Sequence, residues 1–252
     1  MNQLTRFAIT MIIALSISVF VSSAAAEVDY DAYSNLLERY VTDDGVAYTT
    51  WSQNEADLNH LDFILEEWSQ VDVEALLKAD QKAFYINLYN AGMLQAVFKN
   101  YPLKSVKKIG LIPFSIFKKD FIHQADRMLS LDDVEKGILL KDFADPRIHF
   151  VVNCASESCP PLRAEPYCSS KLEAQLTKQT RLFAESDRAA RKNAKGRYAY
   201  SELFNWYNDD FPGKHPAQYL NQYRSEPLPV DAKFDWIPYD WSLNEANSTD
   251  LK

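Results

Sequence analysis

One segment limits what the whole chain can become. "ADQKAFYINLYNAGMLQAVFKNYP" has helical spacing and is read as a helix from about Asp80 to Lys99, stopped by Pro102. Phe84, Ile86, Leu88, Tyr89 and Met93 place apolar groups on nearly every side of it. A helix that is apolar all round has to be wrapped by other elements, so this one is expected at the centre of the fold. Asn87 and Asn90 share a stripe with Ala83, Leu94 and Val97. Burying an amide costs roughly 1–3 kcal/mol unless it is hydrogen-bonded, and asparagine is only a fair helix former. Both amides therefore need partners. Either they bracket irregular buried backbone, or they serve a functional group.

The flanking segments supply the wrapping. Helical spacing is read over Tyr30–Tyr40, Glu55–Trp68 and Ser170–Ser186, with a shorter helix over Asp72–Lys78. "DDGVAYTTW" is expected to turn at Asp44-Gly45 and then extend. Two short strands are expected around Ala125-Asp126, and Ser130 with Asp133 forms a capping-box pattern for the next helix. Glu135 on that helix falls at or near its apolar face, with Arg147 as one candidate partner. "KGRYAYS" and "AKFDWIPYDWSLN" are expected to be extended. These elements define an α+β domain with many helices around a small, mostly antiparallel sheet, spanning residues 27–244, with residues 245–252 as a frayed tail.

Chemistry concentrates in "HFVVNCASESCPPL", residues 149–162, which holds two of the three cysteines. His149 to Val152 reads as a buried strand entered from the Asp145-Pro146 turn. An extended chain advances about 3.3 Å per residue with alternating side chains. On that reading His149 cannot reach Cys154 unless the chain turns sharply near Asn153. His123 is the other candidate partner, and a reversal through "ASESC" would bring Cys159 back beside His149.

Composition narrows the classes. Arg6, the apolar run Phe7–Val21 and the Ala24-x-Ala26 ending form a secretory signal pattern with cleavage after Ala26. That run is short of the roughly 20 residues a membrane span needs. A periplasmic or secreted protein with no integral membrane segment after cleavage is expected. The remaining residues, about 226, are enough for a proper core. A net charge of -8 disfavours nucleic acid as a partner. Phosphate-loop and zinc-type motifs are missing, so no cofactor and no metal is expected.

"AFYINLYNA", "SLDDVEKGIL", "DPRIHFVVNCASESCPPL", "FNWYNDDF" and "YDWSLN" resemble, in order, the family catalogued as domain of unknown function 547, from roughly Asp44 to Asn244. The resemblance implies that Asn87, Asn90, Glu135, His149, Cys154 and Cys159 are characteristic positions. It implies no substrate, and Cys168 falls outside the motif.

Several readings stay open. Cys154 is a candidate nucleophile with His149 as base and Glu135, Asn87 or Asn90 orienting it. The protein would then be a thiol hydrolase or acyl transferase acting on a peptide, an amide or a cell-envelope component. Alternatively, Cys154 and Cys159 form a disulfide in an oxidising compartment, and the chain is a non-catalytic envelope binding or assembly module for an unknown small-molecule, peptide or envelope ligand. Glu135 acting as acid or base without the cysteines is another reading. A zinc site of His149, Cys159 and Glu135 lacks the usual short ligand spacing. Trp206, Tyr207 and Phe211 are read as core, Trp236 and Trp241 as core or else a ligand platform, and Cys168 as a small buried apolar residue.

Overall fold

The central helix, α4, runs Lys78–Phe98 and buries an unbroken stretch from Ala83 to Leu94. A computed structural model describes residues 28–246, so the expected signal segment at residues 1–26 lies outside the described residues. Helices α1 (Asp31–Tyr40), α2 (Tyr48–Ser52) and α3 (Glu55–Ser69) gather against α4. Aromatic rings make the joints. Trp68 of α3 meets Phe84 at 6.1 Å, and Trp51 of α2 stacks on Tyr40 at 4.6 Å. "VAYTTW" thus becomes mostly helix after the turn, because burying Tyr48 and Trp51 against Phe98 favours it over an extended chain.

The hairpin β1 (Ile122–Gln124) and β2 (Arg127–Leu129) is antiparallel, as the sequence implied. It lies close to α4 because residue 92 is glycine: a Cβ there would stand 2.8 Å from Ile122 Cδ1. The capping box forms fully, with Ser130 Oγ accepting from Asp133 N–H and Asp133 Oδ2 accepting from Ser130 N–H. The helix it starts widens into a π-helical stretch, Asp133–Leu140. Such stretches are rare and concentrate at functional sites.

A second hydrophobic cluster forms from Phe150, Phe183, Tyr200, Phe204, Phe211 and Tyr219. It carries the other sheet, in which β3 (Ala190–Lys192) pairs antiparallel with β4 (Tyr198–Ser201), and β4 pairs parallel with β5 (Asp235–Ile237). The strands are thus split between two small sheets, and the architecture is α+β.

The segment read as a buried strand is helical. Pro146–Phe150 forms a 3-10 helix, and Val152 N–H still reaches back to Ile148 O at 3.2 Å. Asp145 and Pro146 decide this: the Asp145 carboxylate accepts from Arg147 N–H at 3.0 Å, and proline presets the first helical position. Ile148 and Val151 join the first core while Phe150 joins the second. The short helix is the seam between the two clusters.

The far end of the chain is also built in. Glu245 accepts from Thr49 N–H at 2.8 Å, and Ala246 N–H bonds Val46 O. This crossing needs Gly45, whose added Cβ would lie 2.3 Å from Asn244 O. Residues 245 and 246, expected to fray, therefore belong to the fold.

Asp145 anchors the seam. Burial pushes its carboxyl up, but hydrogen bonds from Arg147 and Lys82 outweigh that and hold it at about 2. A folded-state value below the usual value near 4 means that the stabilisation is complete above about pH 4 and is lost as pH falls towards 2. Urea midpoints measured across that range should fall steeply for the native chain. Asp145→Asn should start weaker at neutral pH and change much less on acidification.

Candidate functional site

A cavity of about 380 Å³ opens between the two clusters, with His149, Cys154, Cys159 and Glu135 in its walls. Phe114, Trp206, Tyr239 and Trp241 form much of its rim. Trp206 is 43% exposed and stacks on Trp241 at 5.8 Å, and Tyr239 packs on both. Trp206, read as core, belongs to this rim, and Trp241, read as core or platform, lines the cavity while packing against the first core.

The floor is fixed from α4. Asn90 Nδ2 donates to Val151 O at 2.9 Å, and Asn90 Oδ1 accepts from Asn153 N–H at 2.8 Å. One buried amide thus satisfies the backbone where the chain leaves the 3-10 helix. Asn153 then organises the turn. Its Oδ1 accepts from Ala155 N–H at 2.9 Å and its Nδ2 donates to Pro160 O at 2.8 Å. Ala155 sits in the left-handed region (φ 57°), where residues other than glycine are rarely found. The C-terminal segment locks the outer side, with Glu157 N–H donating to Ser242 O and Asn244 N–H to Ala155 O. Asn87 makes an equivalent bracket elsewhere, pairing both ways with the Tyr167 backbone at 2.8 and 2.9 Å. It is not in the cavity wall.

The turn that Asn153 makes brings the two cysteines together. Cys159 Sγ accepts from Cys154 N–H at 3.0 Å, and both side chains are free thiols. Cys154 Sγ also lies 3.0 Å from Ser156 Oγ and 3.4 Å from Tyr239 Oη. Burial alone would raise the Cys154 thiol. Hydrogen bonds from Cys159, Ser156 and Tyr239 outweigh it and leave Cys154 below the ordinary thiol value. Cys159 moves the other way, pushed well up by burial and by its position beside Cys154. Cys168 is apart from both, half-buried near Ser170.

His149 faces the same cavity from the helical side. Its Nε2 is 2.8 Å from Asp210 Oδ2, its Nδ1 is 4.0 Å from Glu135 Oε1, and its ring packs on Tyr207 at 4.1 Å. Burial lowers its pKa, opposed by Asp210, so the neutral imidazole is favoured. Burial raises Glu135, partly offset by Lys136 and by hydrogen bonds from Tyr207 and Tyr89. Arg147 does not pair with Glu135; it is taken up by Asp145 and Glu173 at 2.8 Å each. His123 stands exposed on β1, so it is no partner for Cys154. Among the described residues, no group of three or more His, Cys, Asp or Glu side chains is placed to hold a metal ion.

Of the candidates Cys154, Cys159, His149, Glu135, Asn87 and Asn90, read as one polar centre, the structure gathers all but Asn87 at this cavity and its floor; Asn87 is spent on the Tyr167 backbone instead. The sequence reading missed Asp210, Tyr207, Tyr239 and Asn153. Asp210 and Tyr207 lie in "FNWYNDDF", Tyr239 begins "YDWSLN", and Asn153 precedes a turn, where its side chain commonly bonds the backbone two residues on.

Residues 73–184 match the family described as protein of unknown function, DUF547. The matched residues include Asn87, Asn90, Glu135, His149 and all three cysteines. No curated protein and no solved structure matches the chain.

The two brackets should separate in experiment. Asn87→Ala and Asn90→Ala should each destabilise by about 1–3 kcal/mol in urea denaturation, since each strands a buried N–H and C=O. Only Asn90→Ala should also change the rate at which Cys154 is alkylated, because only Asn90 holds the backbone beside it.

Proposed function

We propose that the chain is an exported thiol-dependent hydrolase or acyl transferase, periplasmic or secreted, with Cys154 as its nucleophile. One observation carries this reading: a thiol set between the Ser156 and Tyr239 hydroxyls, with Cys159 Sγ on its own backbone N–H, opens on the same aromatic cavity as the His149–Asp210 pair. A nucleophilic cysteine needs both a stabilised thiolate and a base within reach of one water or of the substrate. A histidine kept neutral by burial and oriented by a carboxylate meets the second need. The export part of the proposal is supported by the secretory signal pattern of residues 1–26.

Neither ring nitrogen of His149 touches Cys154, and a cavity of this size has room for bridging water. The Cys154 proton passes across it to His149 as sulfur attacks the substrate's carbonyl carbon. The C–N or C–O bond of an amide or ester then breaks, and the imidazolium returns the proton to the departing nitrogen or oxygen. Water, or an acceptor amine or hydroxyl, next cleaves the thioester and restores the thiol. The rim of Phe114, Trp206, Tyr239 and Trp241 suits a substrate with an apolar or aromatic portion, such as a peptide, an amide or an envelope component.

Alkylation of the native protein with iodoacetamide should modify Cys154 first. Its rate should inflect below the usual thiol value near 8.5, and Cys159→Ala should move that inflection upward by removing one donor. With p-nitrophenyl acyl esters the protein should release about one equivalent of nitrophenol in a burst that Cys154→Ala abolishes. Slow alkylation of Cys154 and no burst would instead mean a cavity that binds without turnover. An irreversible Cys154–Cys159 disulfide in protein taken from its own compartment would also overturn the nucleophile.

A further inference from the structure

The stretch "KSVKKIGLIPFSIFKK", residues 104–119, holds five lysines and no acidic residue in a chain of net charge -8. At its tip two large aliphatic side chains face outward: Leu111 is fully exposed and Ile112 is 70% exposed. Water-facing leucine and isoleucine side by side at a loop tip gain nothing for folding, so their cost needs another explanation. The loop is not loose. Ile109 and Ile116 are buried on either side of the tip, Ser115 N–H bonds Ile112 O at 3.0 Å, and Phe114 takes a left-handed backbone to close the turn. Phe114 packs edge-on against Trp241 at 4.6 Å, with Lys107 Nζ 5.2 Å from the Phe114 ring centre. Lys104, Lys108, Lys118 and Lys119 are exposed around this base, with Asp120 as the first acid beyond it.

We infer that residues 104–119 form a docking finger for an anionic lipid bilayer surface. An apolar tip inside a collar of lysines matches such a surface twice over: Leu111 and Ile112 enter the headgroup–acyl boundary, while the ammonium groups meet lipid phosphates. The exposed Trp206, stacked on Trp241 and so continuous with Phe114, adds an aromatic of the kind that favours the headgroup level. The occupant is a membrane rather than a protein groove because the apolar element is an exposed tip of two side chains, and the charge within residues 104–119 has one sign. The inference does not rest on the thiol chemistry, although Phe114, Phe117 and Lys118 also line the cavity. Docking through the finger sets the cavity mouth beside the lipid headgroups.

Hydrogen–deuterium exchange of the full chain with phosphatidylglycerol-containing vesicles reads the finger itself, so attachment through the apolar run at residues 7–21 does not imitate it. Exchange across residues 109–117 should slow at least about fivefold on adding vesicles, and high salt should reverse the effect. Leu111→Ser with Ile112→Ser should abolish that protection, whereas Phe63→Ser, at an exposed aromatic outside the finger, should leave it intact. Unchanged exchange over the finger would overturn the inference. So would equal protection by uncharged phosphatidylcholine vesicles, or protection without vesicles that grows with protein concentration and marks a contact between copies.

Discussion

The carboxamide of Asn90 is the interaction on which the site depends. It stands on the stretch of the helix that is buried all round, so it has no water to turn to, and its two halves meet two backbone groups that leave the helical ladder beside it. Val151 O and Asn153 N flank the point where the chain stops being helical and starts to turn. By satisfying both, one side chain makes it tolerable to bury an irregular turn in a domain interior. Everything on the cysteine side follows from that turn. Asn153 folds back on Ala155 and Pro160, Ala155 accepts a left-handed backbone, and Cys159 is returned to the Cys154 amide.

The site handles its buried ionisable groups in two opposite ways. His149 and Glu135 are driven towards their neutral forms, because burial exceeds what Asp210, Lys136 and the tyrosine hydroxyls give back. Cys154 is half-buried, yet it moves towards the charged form, because hydrogen bonding at the sulfur outweighs desolvation. Cys159 supplies part of that and is itself kept protonated by its neighbour. The hydroxyls beside Cys154 and the burial of Cys159 thus leave the two thiols inequivalent.

Much of this was legible in the sequence. Two asparagines in an apolar helix demanded partners, and they had them, because an unpaired buried amide costs more than a folded domain can easily spare. The Ser130–Asp133 box and the 125–126 hairpin turn were also legible, being set by residues within four positions of one another. The misreading of "HFVV" has a clear cause. Phenylalanine and two valines favour extended chain on average, but Asp145 and Pro146 start a helical turn just before them, and the two flanking cores divide Ile148, Phe150 and Val151 between them. Asp210 and Tyr239 were not recoverable by spacing. They reach the cavity from about 61 and 85 residues away, through packing that no local pattern encodes.

Trp241 ties the finger to the chemistry. Its ring supports Phe114 on one side and Trp206 on another, and its carbonyl accepts from Ser105. The next residues, Ser242 to Asn244, are those that bond Glu157 and Ala155 in the cysteine turn. Four consecutive residues therefore connect the base of the finger to the backbone on either side of Ser156, whose hydroxyl touches Cys154. The exposed loop and the cysteine turn are, in this fold, held by one short segment.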